Sequence, residues 1–159
     1  MGFLRILEEI RTPALNAFFG VVTYFGDELA FLVLAFALFW CVSKRTGYYV
    51  FLVGLFGTLG NQFLKLVCRV PRPWVLDPEF TIVESARAAA TGYSFPSGHT
   101  ACAACAMLLT LLPTLYRRLH DKEPLFMAIG AGWTLLVAFS RLRMGAHFLS
   151  DVSVSALLT

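Results

Sequence analysis

The chain has 159 residues, 58% of them hydrophobic and 14% charged, with a mean hydropathy of +0.71 and a net charge of +3. An ordinary globular domain carries about a quarter charged residues, and a chain this short cannot hide so much apolar surface inside one core. A bilayer is therefore the expected solvent. Soluble, disordered, collagen-like and disulfide-scaffold classes are excluded, and the cations form no long basic stripe of the kind a nucleic-acid binder needs. Lipids are the expected partners, with no nucleic acid among them.

At roughly 20 residues per crossing, about four to six crossings fit one membrane-embedded domain over residues 1–159. Residues 1–11 place Phe3, Leu4, Leu7 and Ile10 at helical spacing against Arg5, Glu8, Glu9 and Arg11, which predicts an interfacial helix rather than a cleavable signal peptide. The apolar piece 13–26 is too short to span at 1.5 Å per residue, so 1–26 is expected to form interfacial or partly inserted helices. Gly26-Asp27-Glu28 separates it from a first span ending at Ser43-Lys44-Arg45, and 47–64 gives the second.

Residues 68–96 carry Pro71, Pro73, Pro78 and six charged side chains, and read as the long extramembrane loop. A third span is expected over 97–116, bent by Pro113, and a fourth over 124–140. A fifth apolar segment starts near Ala146 and stops at Thr159, short of a full crossing, so the expectation is a chain truncated before the last helix of an all-α, polytopic bundle. Lys44 and Arg45, with Arg117, Arg118 and Lys122, predict the cytoplasmic face, and put the 68–96 loop outside. Of four cysteines, Cys102 and Cys105 spell C-x-x-C one helical turn apart inside an apolar run, where packing is favoured over redox chemistry.

Three polar clusters map to the outer face, and ionisable residues at membrane-helix ends are candidates for function, although Lys and Arg there can also simply snorkel. The first is Lys65 followed by Arg72-Pro73. The second is Pro96-Ser97-Gly98-His99, in which Ser97 is a candidate N-cap and Gly98 lets backbone approach an anion at a helix N-terminus. A capped helix with an incidental histidine fits that cluster about equally well. The third is Ser140-Arg141 with His147 and Asp151 four residues apart, so that on a helix the carboxylate can hold one imidazole nitrogen and leave the other as nucleophile or base.

In combination and order, Lys65-x6-Arg72-Pro73, Pro96-Ser97-Gly98-His99 and Ser140-Arg141-x5-His147-x3-Asp151 resemble the complete three-part signature of the type 2 phosphatidic acid phosphatase superfamily. That resemblance implies a haloperoxidase-like helical core and a membrane phosphatase acting on a lipid phosphate or diphosphate. It further implies that His147 attacks phosphorus to give a phosphohistidine, that Asp151 holds its other nitrogen, and that His99 protonates the leaving oxygen and then activates water. Lys65, Arg72, Arg141, Ser97 and the Gly98 N–H would bind the phosphate, with no metal or other cofactor. The family's bacterial members place such a chain in the plasma membrane with an extracytoplasmic site. Arg143 stands where many relatives have an aromatic residue, either reaching a second phosphate or snorkelling. A lipid phosphotransferase using the same intermediate, a vanadate-dependent haloperoxidase and a non-catalytic lipid-binding protein are the alternatives. Among phosphatidic acid, phosphatidylglycerophosphate and undecaprenyl diphosphate the sequence does not choose, nor does it fix an oligomeric state.

Overall fold

The computed structural model describes residues 2–88, 90–105 and 121–158, and every regular element among them is helical. The expected spans over 97–116 and the loop after it, with Pro113, Arg117 and Arg118, fall partly outside the described residues. Helix α1 runs Gly2–Glu9 and α2 Pro13–Tyr24. Thr12 starts α2: its Oγ1 accepts the Leu15 N–H at 3.3 Å, and Pro13 occupies the first turn, where a missing N–H costs nothing. Helix α3, Glu28–Ala37, continues into a π-helical turn at Leu38–Val42. Ser43 then caps α4, Lys44–Cys68, through the Thr46 N–H.

The 13–26 segment, expected to be interfacial or partly inserted, forms a bent pair with the helix that follows it. Helix α2 and the stretch 28–42 meet at a 49° bend, and by length and composition the two together are one candidate span. Helix α4 and α8, Glu123–Arg143, are each long and apolar enough alone. The long loop contains two single turns of helix, α5 (Pro73–Leu76) and α6 (Glu84–Arg87), before α7, Gly98–Cys105. The last element is α9, Leu149–Leu158.

Helix α7 is the centre of the bundle, touching α3, α4, α8 and α9. Its sequence explains why: Thr100, Ala101, Cys102, Ala103, Ala104 and Cys105 are all small and all buried, and small residues let helices approach closely where lipid supplies no hydrophobic drive between them. Cys102 and Cys105 are free thiols packed in this interface, whereas Cys41 and Cys68 are exposed. The large side chains point the other way, with Phe56, Leu59, Phe63 and Leu66 on α4 and Ile129 and Leu135 on α8 outward. This outward apolar surface accounts for the composition.

Over the end of the bundle that carries the long loop, α1 packs Leu4 and Leu7 against Phe80, Leu142 and Val152. Arg5 pairs with Asp77 at 2.6 Å, and the bond raises the Arg5 pKa above its ordinary value. Arg11 donates through Nε to the Arg143 carbonyl at 2.9 Å and through Nη1 to the Thr81 carbonyl at 2.9 Å, while its burial lowers its pKa. The N-terminal arm thus holds the long loop onto the end of α8.

Candidate active site

Three loop-to-helix junctions carry the polar clusters to one place. Helix α4 ends at Arg69, whose left-handed backbone (φ 48°) turns the chain toward Arg72. Arg72 is 3% exposed and fastened on three sides: Nε donates to the Gly92 carbonyl (3.1 Å), Nη2 to the Thr91 carbonyl (2.7 Å) and Nη1 to the Ala146 carbonyl (2.9 Å). Its Nη1 also lies 3.2 Å from Nε2 of His147. A guanidinium has no lone pair to offer, so Nε2 accepts and the proton of a neutral His147 sits on Nδ1.

Nδ1 faces Asp151 Oδ2 at 3.5 Å, an ion-pair separation longer than a hydrogen bond. The carboxylate is held from elsewhere: Oδ2 accepts from the Ser94 hydroxyl and from the Phe148 N–H (2.8 Å), and Oδ1 accepts from Ser150 Oγ at 3.3 Å. His147 and Asp151 are 2% and 1% exposed. The i, i+4 spacing does bring them together, with His147 just before α9 and Asp151 in its first turn.

Between α8 and His147 the chain turns at Gly145, with φ at +78°. A Cβ there would meet Arg11 Nη2 at 2.7 Å, the Thr81 carbonyl at 2.8 Å and Phe80 at 2.9 Å. Both the left-handed backbone and the close packing demand glycine.

His99 and Gly98, at the start of α7, share with Lys65, Arg72 and His147 a polar cavity of about 270 Å³. Its remaining wall includes Asp27 and Glu28, from the break between α2 and α3. A larger cavity of about 470 Å³ lies beyond the same break, lined by apolar groups such as Phe25, Phe31, Leu34 and Trp133; the polar one holds the groups capable of chemistry.

Two expected phosphate ligands stand back from the lining. Ser97 is fully buried, its N–H donates to Ser155 Oγ at 2.7 Å, and its own Oγ accepts from the Thr100 hydroxyl at 3.0 Å. It is the cap of α7, as its N-terminal position suggested. Arg141 is fully buried and donates through Nη1 to Thr23 Oγ1 at 3.0 Å, while its Nε and Nη2 have no partner among the described residues. Leaving such donors buried and unpaired is costly, and Arg11 Nη2 and Arg143 Nε are in the same position. The Gly98 N–H has a neighbour as well: with its amide turned to satisfy both contacts, Asn61 accepts from that N–H at 3.3 Å and donates to the Pro96 carbonyl at 3.2 Å. Arg143 neither lines the cavity nor snorkels. It is 2% exposed, donates to the Ile10 carbonyl at 2.9 Å and stacks over Phe19.

Sequence reasoning missed Thr23, Ser94, Asp27 and Glu28. The last two carried a usable signal, since a carboxylate pair between two apolar helices is a costly arrangement in a membrane. Nothing in the sequence distinguishes Thr23 or Ser94 from other small polar residues.

The described residues thus form an all-helical fold with apolar helices of membrane-spanning length and a buried His–Asp pair beside clustered cations. The family model described as PAP2 superfamily matches residues 45–159, and the chain belongs to that superfamily. A phosphatidylglycerophosphatase B of Haemophilus influenzae is 41% identical over 69 residues, 43% of this chain and 29% of that relative, so the match spans under a third of the relative's length. A transmembrane PAP2-type phosphatidylglycerolphosphate phosphatase from Bacillus subtilis superposes with a TM-score of 0.79 at 27% identity, covering 99% of this chain and 79% of that one. Aquifex aeolicus LpxE gives 0.76 at 27% identity, over 99% of this chain and 87% of that one. With its apolar helices and these transmembrane neighbours, the chain is an integral membrane protein.

Proposed function

We propose that the chain hydrolyses a lipid phosphate through a phosphohistidine on His147, without a metal. The observation that carries this reading is the convergence of Lys65, Arg72, His99 and His147 on one small cavity, with the unpaired nitrogens of Arg141 as further donors. In-line transfer needs a nucleophile, neutralised equatorial oxygens and a protonated leaving group, and each has a candidate here.

Nε2 of His147 attacks phosphorus as the phosphorus–oxygen bond to the lipid breaks, and His99 gives its proton to the departing oxygen. Asp151, fixed by Ser94 and the Phe148 N–H, stabilises the charge that develops on the imidazole. Water then attacks the phosphohistidine while His99 takes its proton, releasing phosphate and restoring both histidines. Lys65, Arg72 and Arg141 hold the phosphoryl oxygens. Arg72 first has to yield Nε2 of His147, its partner at 3.2 Å, so phosphate arrival and nucleophile release are one exchange. Ser97 supports this set by capping α7, and the Gly98 N–H can reach phosphate only in competition with Asn61. Lys44 and Arg45 lie at the opposite end of α4 from Lys65, which supports a site on the extracytoplasmic face.

The test is phosphate release by the purified chain from phosphatidic acid, phosphatidylglycerophosphate and undecaprenyl diphosphate, with chelator present. Turnover should survive the chelator, and His147→Ala should lower kcat by about 10³-fold or more and abolish protein-bound phosphate. Full turnover in that variant would sink the mechanism; loss with chelator would sink metal independence.

A further inference from the structure

The chain places two carboxylates inside a cavity otherwise suited to anions. Asp27 and Glu28 line the same 270 Å³ space as Lys65, Arg72, His99 and His147. The Asp27 side chain does not cap the helix it precedes, and among the described residues neither carboxylate forms an ion pair with Lys65 or Arg72. Opposite charges therefore stand across the cavity without closing it. At this size the cavity falls just under the usual ~300–1,000 Å³ of small-molecule sites, so a head group that brings a phosphoryl group to His147 lies close to the carboxylates as well.

The position of the pair is also informative. A Cβ on Gly26 would lie 3.2 Å from the His99 carbonyl, so the break between α2 and α3 abuts the start of α7, the element that carries the proposed proton donor to the leaving oxygen. Four residues before Asp27, Thr23 holds Arg141, whose Nε and Nη2 remain buried without a partner among the described residues. One short segment thus supports an anion-directed arginine and presents carboxylates beside it.

We infer that Asp27 and Glu28 form a charge filter on the leaving-group side of the site, admitting phosphomonoesters and opposing a second phosphoryl group. A monoester places its one dianionic group among the cations and its uncharged ester side against the carboxylates. A diphosphate, attacked at its terminal phosphorus, places its inner phosphoryl group there instead, where like charges repel at short range in a poorly screened setting. This rests on the proposed assignment of His147 and His99.

The experiment compares farnesyl phosphate with farnesyl diphosphate, two substrates with one tail, on the full chain in detergent. The wild type should favour the monophosphate in kcat/KM by about tenfold or more, and D27N/E28Q should raise kcat/KM for the diphosphate by about tenfold while changing the monophosphate by less than about threefold. Taking the ratio on a single preparation cancels any loss of folded protein, and the single variants D27N and E28Q should each give an intermediate ratio. An unchanged ratio in the single and double variants, with His147→Ala inactive, would overturn the filter alone. Undiminished turnover of both substrates by His147→Ala would instead overturn the mechanism on which it rests.

Discussion

The cavity has two walls of different origin. One is made of the recognisable motifs: Lys65 and Arg72 at the end of α4, His99 at the start of α7, and His147 with Asp151 behind it at the start of α9. The other comes from residues 23–28, where two apolar helices break and bend by 49°. The first wall holds its groups by dense hydrogen bonding, as Arg72 does with three backbone carbonyls. The second is tied to Arg141 through the Thr23 hydroxyl and packs at Gly26 against Val137 and the start of α7, while among the described residues neither Asp27 nor Glu28 forms an ion pair with Lys65 or Arg72. On the proposed mechanism the reacting groups belong to the tied wall, and on the inferred filter discrimination between substrates belongs to the other.

The largest expected effects fall on the tied wall, beginning with His147→Ala. Next comes Asp151→Asn, which keeps the shape but loses the charge that opposes an imidazolium at 147; kcat should fall by about 10² to 10⁴-fold, and a loss no greater than that of Ser150→Ala would break the assignment. Gly145→Ala probes geometry without touching a reacting group. The positive φ and the three close neighbours should cost at least about 2 kcal/mol, read as a lowered Tm; an unchanged Tm would show that the turn can relax.

Smaller effects belong to the second wall. Thr23→Val removes the one partner of the Arg141 side chain among the described residues, and should raise KM or lower kcat by about tenfold while leaving Tm within a few degrees. An unaltered KM and kcat would detach this wall from phosphate binding. Asp27 and Glu28 should change the substrate ratio most and the absolute rate least, which is the mark of a filter rather than of catalytic machinery.

How much of this was legible in the sequence follows the same division. The motif residues could be read because their spacing is set by single turns and short connections, and Asp151 lies beside His147 although the histidine stands just before α9 rather than on its face. Ser97 was legible as a cap for the same local reason, but its distance from the cavity lining was not, because Ser155 lies 58 residues away and occupies its N–H. Asp27-Glu28 reads in the sequence as a boundary between two apolar pieces, since the cavity that accommodates two charges in a row comes from residues distant in the chain, Lys65, Arg72, His99 and His147. Arg143 fared similarly: its partner, the Ile10 carbonyl, comes from the other end of the chain.

Gly145 also explains a regularity in the primary structure. The last turn of α8 carries Arg141 and the first residues after the turn carry His147, so the interval between them is not a count of helical turns. It is the length of chain needed to stop one helix, reverse through a left-handed residue and present an imidazole to Arg72. One residue more or fewer would displace the imidazole relative to both arginines. A fixed interval between two letters of a sequence is here the linear trace of a chiral turn with no side chain at its apex.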